Sequence, residues 1–185
     1  MDHYLDIRLR PDPDFVAIDL LSALVSKLHR ALARLADGKV GISFPDSKAM
    51  YLGDRLRLHG GLSSLQSLMG SDWLKGMRDH VQLSEPVAVP VGAKHRVVKR
   101  VQAKSSPERL RRRQIKRHGM TPQQAQEKVP DSAAETLSLP YLLLRSASTG
   151  QRFPLFVEHG PLLEAAVPGS FSSYGLSDVA TVPWF

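Results

Sequence analysis

The 185-residue chain contains no cysteine. A disulfide frame, a thiolate metal site and a cysteine nucleophile are excluded together. Long apolar runs are missing as well: no stretch approaches the roughly 20 apolar residues needed to span a bilayer. The opening MDHYLDIRLR alternates charged with apolar residues where an export signal carries an apolar core. The expected compartment is therefore the cytoplasm, with no membrane partner. HExxH, G-x-x-x-x-G-K-[ST] and G-x-S-x-G do not occur, and no histidine and carboxylate cluster has metal-ligand spacing. Asp12 and Asp14 sit in a proline turn and read as turn chemistry. No metal and no cofactor are expected. With 42% hydrophobic residues and no internal repeat, the chain has material for one large or two small domains.

What is present in excess is local positive charge. The net charge of +7 is modest, yet residues 94 to 117 hold eleven Lys and Arg against the single acid Glu108, leaving 14 basic and 17 acidic residues elsewhere. A solvated helix face intersperses both signs, whereas this segment repels itself unless a polyanion is near. Nucleic acid is favoured over an anionic membrane, because a membrane-surface helix needs a broad apolar face that residues 107 to 118 lack.

The order of elements is readable in the first half. Leu5, Ile7 and Leu9 alternate with charged residues as a half-buried strand does, and Pro11 and Pro13 end it. From Asp19, Leu20, Leu21, Leu24, Val25, Leu28, Leu32 and Leu35 recur at helical spacing up to the stop signal Asp37-Gly38. Val40, Ile42 and Phe44 predict a second strand, Leu56 and Leu58 a third, Leu62 to Met69 a short helix. Val81, Leu83, Val87 and Val89 predict a last strand broken or bulged by Pro86. This βαββαβ order predicts an α+β protein whose N-terminal domain, residues 1–93, is ferredoxin-like. Residues 94–185 form a smaller domain in this reading. Ser106-Pro107-Glu108 starts an arginine-rich helix ended by Gly119, Thr121-Pro122 starts a short helix to about Val129, and Tyr141 to Leu144 pairs with Phe153 to Val157 as a β-hairpin.

Few residues could do chemistry. Of seven histidines, His29 stands out, because it lies on the long helix beside Val25 and Leu32 at the edge of the apolar stripe. There an imidazole can stay basic and face a second domain. Spacing alone favours a structural role.

Seven segments together carry a resemblance: MDHYLDIRLRPDP, SKLHRAL, RVQAKSSPERLRRR, RSASTGQRF, EHGPL, YGLS and the ending VPWF. In this order they resemble the CRISPR repeat-processing endoribonucleases of the type I-F system. The resemblance implies a metal-independent ribonuclease that cuts precursor CRISPR RNA at the 3′ base of each repeat hairpin and keeps the hairpin bound. The cut is an attack of a 2′-hydroxyl on the adjacent phosphate, giving a 2′,3′-cyclic phosphate. His29 in SKLHRAL matches the catalytic histidine, suited to act as general base near neutral pH. Ser146 matches the serine that holds the 2′-hydroxyl, with Ser148 as the alternative if the loop register is shifted by two. Tyr174 matches a tyrosine that orients the histidine.

Binding residues follow from the same resemblance. Arg100 and Gln102 match a pair that reads base edges at the foot of the stem, Arg suiting guanine and Gln adenine. Phe153 matches an aromatic that stacks beneath the terminal base pair, and a core phenylalanine in a strand is its alternative. Arg112, Arg113, Lys116 and Arg117 match a helix laid along the RNA groove. Lys116 departs from the arginine expected there and lacks its planar fork. Implied partners are the repeat stem-loop and the protein subunits of a type I-F RNA-guided surveillance complex. A non-catalytic RNA hairpin-binding protein is the alternative.

Overall fold

A computed structural model of the chain describes residues 1–102, 107–130, 137–146 and 150–185. The fold is α+β with two antiparallel sheets. The first sheet contains β1 (His3–Leu9), β2 (Gly41–Ser43), β3 (Arg55–Gly60), β4 (Val81–Leu83) and β5 (Val87–Ala88). Its order is β2-β3-β1-β4, with β5 also paired to β1. Between the strands lie the helices α1 (Ala17–Leu35) and α2 (Leu62–Gly70). The second sheet, ordered β7-β8-β6-β9, contains β6 (Lys94–Val101), β7 (Tyr141–Arg145), β8 (Arg152–His159) and β9 (Thr181–Trp184). Two further helices, α3 (Pro107–His118) and α4 (Pro122–Lys128), lie in sequence between β6 and β7. Contacts divide the chain into two compact units, one of residues 1–101 with 139–185, the other of residues 102–138. No described helix is long and apolar enough to cross a membrane.

Hydrophobic patterning explains the first unit. Leu5, Ile7 and Leu9 of β1 are buried while Arg8 is exposed. The apolar stripe of α1 is buried from Leu20 to Leu32, and the helix stops at Ala36, whose left-handed φ of 50° ends the ladder one residue before Asp37-Gly38. Pro86 does split the last strand of the first sheet. β4 pairs with one end of β1 (Ile7 opposite Leu83) and β5 with the other (Tyr4 opposite Val87), while Ser84 bridges the gap through both its N–H and its Oγ to Asp6. The hairpin of β7 and β8 forms as expected, from Tyr141 opposite Phe156 to Arg145 opposite Arg152.

Both faces of β3 are covered, unlike a strand with one solvated side. Leu56 and Leu58 face the core, but Arg57 and His59 are buried too. The Arg57 guanidinium lies between the rings of Tyr4 and Phe185, at 4.5 and 4.2 Å, and donates to both carboxylate oxygens of Asp6 at 2.7 and 2.9 Å. His59 shares a 2.8 Å hydrogen bond with the Ser43 hydroxyl. The C-terminal strand closes over β2: a Cβ on Gly41 would stand 2.7 Å from both Phe171 and Val182.

Candidate active site and nucleic-acid interface

The first unit contains a cleft of about 530 Å³ lined by Ser26, His29, Arg30, Arg100, Leu144, Arg145, Ser146, Gln151, Arg152, Phe153 and Tyr174. Five residues singled out from the sequence, His29, Arg100, Ser146, Phe153 and Tyr174, meet there although they come from four separate stretches of chain. Ser148 lies outside the described residues. Among the described residues the lining contains four arginines and no carboxylate, so the cleft concentrates positive charge in a concave space, which attracts an anion.

His29 is placed by the most regular element of the fold. Residues Leu21, Leu24, Val25 and Leu28 are fully buried and fix the rotation of α1, so His29 emerges half-buried at the border of the stripe. Its Nδ1 lies 3.0 Å from the carbonyl oxygen of Ser173. A carbonyl only accepts, so Nδ1 carries the hydrogen of the neutral ring and Nε2 keeps its lone pair. That tautomer is the one a general base requires. The ring is held from its flat side as well: Tyr174 stacks on it with centroids 3.9 Å apart and planes 5° from parallel.

A tight turn presents Tyr174. Gly175 donates its N–H to Ser172 O at 2.8 Å, and Ser172 donates to Leu176 O at 2.9 Å. The carbonyl of Gly175 accepts the N–H of Ile42 at 2.9 Å, tying the turn to β2. Ser146 follows directly after β7. Its N–H donates to Gln151 O, its carbonyl accepts from Gly150, and the Arg145 Nε donates to Gly150 O at 3.0 Å, which ties the end of β7 to the residues just before β8. The serine is thereby fixed at the rim of the cleft.

Arg100 stands on β6 opposite Val157. Its guanidinium lies 5.4 Å from the Phe153 ring centroid and 5.7 Å from that of Tyr174. Its Nε is buried without a hydrogen-bond partner among the described residues, so the planar fork has a donor still to satisfy. Phe153 is part of the wall and also packs on the hydrophobic core.

The second unit carries the remaining basic residues. Gln102, the first residue of this unit, is exposed. On α3, Arg112, Arg113, Lys116 and Arg117 are all exposed, and no residue of the helix is buried. Arg111 is different, since its Nε donates to the Val129 carbonyl at 2.8 Å and so ties α3 to the end of α4. The short helix α4 is started by a capping box in which Thr121 and Gln124 satisfy each other's backbone N–H groups. Ser106, expected to cap α3, lies outside the described residues. Among the described residues no group of three or more His, Asp or Glu has metal-binding geometry.

Sequence reasoning did not find Ser26, Arg30, Arg145, Gln151 and Arg152 in the cleft, nor the Ser173 carbonyl that fixes the histidine. The carbonyl has no sequence signature. Arg145 and Arg152 flank Ser146 and Phe153 in RSASTGQRF, and Arg30 follows His29 in SKLHRAL, so all three could have been found as neighbours of those residues.

The profile of the CRISPR-associated protein (Cas_Csy4) family matches residues 4–185. The chain is 51% identical over 187 residues to the CRISPR-associated endonuclease Cas6/Csy4 of Pseudomonas aeruginosa (strain UCBPP-PA14), covering 100% of both chains. It is 49% identical over 185 residues to the protein of that name from Escherichia coli (strain UTI89 / UPEC), again with 100% of each covered.

Proposed function

The chain belongs to the Cas6/Csy4 family of CRISPR-associated endonucleases, and on that premise we propose that it processes precursor CRISPR RNA by metal-independent cleavage at the 3′ base of each repeat stem-loop. The single observation that carries this reading is the histidine tautomer: Nδ1 of His29 is occupied by the Ser173 carbonyl, so Nε2 is the acceptor nitrogen of the neutral ring, on a residue that lines the cleft. In the proposed reaction Nε2 takes the proton of the 2′-hydroxyl, whose oxygen forms a bond to the adjacent phosphorus as the bond to the 5′ oxygen breaks. The products are a 2′,3′-cyclic phosphate and a 5′-hydroxyl, the latter protonated by solvent. Ser146 holds the 2′-hydroxyl in line, and Tyr174 orients the imidazole by stacking. Cationic charge for the phosphate comes from the arginines of the cleft.

Recognition is divided in this reading. Arg100 and Gln102 read base edges, Phe153 stacks under the last base pair, and Arg112, Arg113, Lys116 and Arg117 contact phosphates. The mature hairpin stays bound and is handed to the other subunits of a type I-F surveillance complex. The sheet order β2-β3-β1-β4 with α1 and α2 supports a ferredoxin-like domain over residues 1–93, followed by an RNA-binding domain over 94–185.

The test is incubation with cognate repeat RNA in EDTA. Wild type should cut, His29→Ala should bind without cutting, and RNA with a 2′-deoxy nucleotide before the cut should bind and stay whole. Bound but intact RNA with the wild type would instead identify a hairpin-binding protein.

A further inference from the structure

The helix that carries His29 and the strand that leads to Ser146 are joined by a partly buried polar contact. Ser22 of α1 is 6% exposed, and its Oγ accepts the backbone N–H of Leu143 on β7 at 3.1 Å. A buried serine inside a helix has an alternative acceptor in its own preceding turn. Here the hydroxyl oxygen also serves a neighbouring strand, as the acceptor of the Leu143 N–H.

β7 is the outermost strand of its sheet, hydrogen-bonded on one side to β8. Leu143 stands opposite Pro154, which has no N–H to give. Leu142 and Leu144 are buried, and apolar burial sets which face of β7 turns inward. It does little to stop sliding by two residues, which restores the same face. The Ser22 contact acts along that axis.

The spacing on either side of the contact is matched. From Ser22 to His29 is seven residues of helix, a rise of about 10.5 Å that returns to the same face after two turns. From Leu143 to Ser146 is three residues of extended chain, about 10 Å. Ser22, Ser26 and His29 fall at i, i+4 and i+7 of one stripe, and Ser26, His29 and Ser146 all line the cleft. A contact at Ser22 therefore brings His29 level with Ser146.

We infer that Ser22 is a positioning residue for RNA cleavage: its hydrogen bond to Leu143 sets the axial register between the helix bearing the base and the strand bearing the serine. This rests on the reading that His29 and Ser146 act together on the 2′-hydroxyl. A slip of two strand residues, about 6.6 Å, takes Ser146 out of hydrogen-bond reach of a hydroxyl held at His29.

The experiment uses the full chain, cognate repeat RNA in excess protein, and the 2′-deoxy hairpin for affinity. Ser22→Ala should lower the single-turnover rate at saturation at least tenfold while hairpin affinity stays within twofold. The double variant Ser22→Ala with Ser146→Ala should cut at the rate of Ser146→Ala alone, within twofold, because one variant disables what the other positions. Wild-type cleavage by Ser22→Ala, multiplicative losses in the double variant, or a loss confined to affinity would each overturn the assignment. If Ser146→Ala or His29→Ala itself cuts at the wild-type rate, the parent reading fails and this one with it. If both are slow and Ser22→Ala is not, the registration alone fails.

Discussion

Gly175 follows the tyrosine that stacks on His29, and its environment leaves room for no side chain. Its φ is 70°, and a Cβ would stand 2.6 Å from Cγ2 of Ile42. Gly175→Ala adds a left-handed penalty to a clash, together roughly 2 to 4 kcal/mol. The clash pushes the turn away from β2 and carries Tyr174 and the Ser173 carbonyl with it. Denaturant unfolding should show the lost stability, and the cleavage rate should fall more than hairpin affinity; equal falls would mean the turn does not govern the histidine. Tyr174 itself tests the stack. Because the rings lie 3.9 Å apart and parallel, Tyr174→Phe keeps the contact and should cleave within a few-fold of wild type, while Tyr174→Ala should lose most activity. A loss in Tyr174→Phe as large as in Tyr174→Ala would give the phenol oxygen a chemical role. At this scale the site was legible through its motifs: SKLHRAL and YGLS marked His29 and Tyr174, but helical spacing alone favoured a structural role for His29. Ser173 acts through a backbone carbonyl and Ser22 through a contact 121 residues away in sequence, and neither leaves a local pattern.

Among the elements, those with one clean period were found and those without it were missed. The stripe of α1 and the alternation of β1 follow directly from burial on one side. β6 was read as a basic segment because Lys94, Arg96, Lys99 and Arg100 interrupt its apolar residues, and only Val98 is buried in it. β9 is four residues long and includes Pro183, which argues against a strand on sequence alone. Both pair antiparallel with each other, Lys94 opposite Trp184 through Val97 opposite Thr181, so pairing rather than propensity makes them strands. The arginine-rich α3 was legible because Pro107 and Gly119 bracket it, and it sorts its own arginines. Replacing Arg112, Arg113 and Arg117 together by alanine should weaken hairpin binding whatever the stem sequence, with the slope of log affinity against log salt reduced by on the order of one unit per lost phosphate contact. Arg111→Ala should leave that slope unchanged and loosen the pairing of α3 with α4, because its Nε is bonded to Val129 O. Filter binding over a salt series separates the two, and an Arg111→Ala slope as shallow as that of the triple variant would show that Arg111 also faces phosphate.

Over the whole molecule, the buried His59 and the partly buried His159 make stability depend on pH. His59 is fully buried, with Nε2 on the Ser43 hydroxyl at 2.8 Å and Nδ1 without a partner among the described residues. Burial, with the Arg57 charge beside it, pushes its pKa down to about 3. His159 lies edge-on to Phe44 and Trp184, and burial followed by the charge of Arg96 pushes it down to about 4. In the unfolded chain both return to about 6.5. Between the folded and unfolded values the unfolded state binds more protons, so stability is complete above about pH 6.5 and falls as the pH drops toward 4 and then 3. At pH 5 the linkage amounts to about 2 kcal/mol for His59, with a somewhat smaller share for the partly exposed His159. Denaturant unfolding at pH 7.5 and pH 5 should show this loss, and His59→Gln, which keeps a polar partner for Ser43 but cannot be protonated, should flatten part of it. An unfolding free energy that does not change between pH 7.5 and pH 5 would show that His59 and His159 reach water in the folded protein.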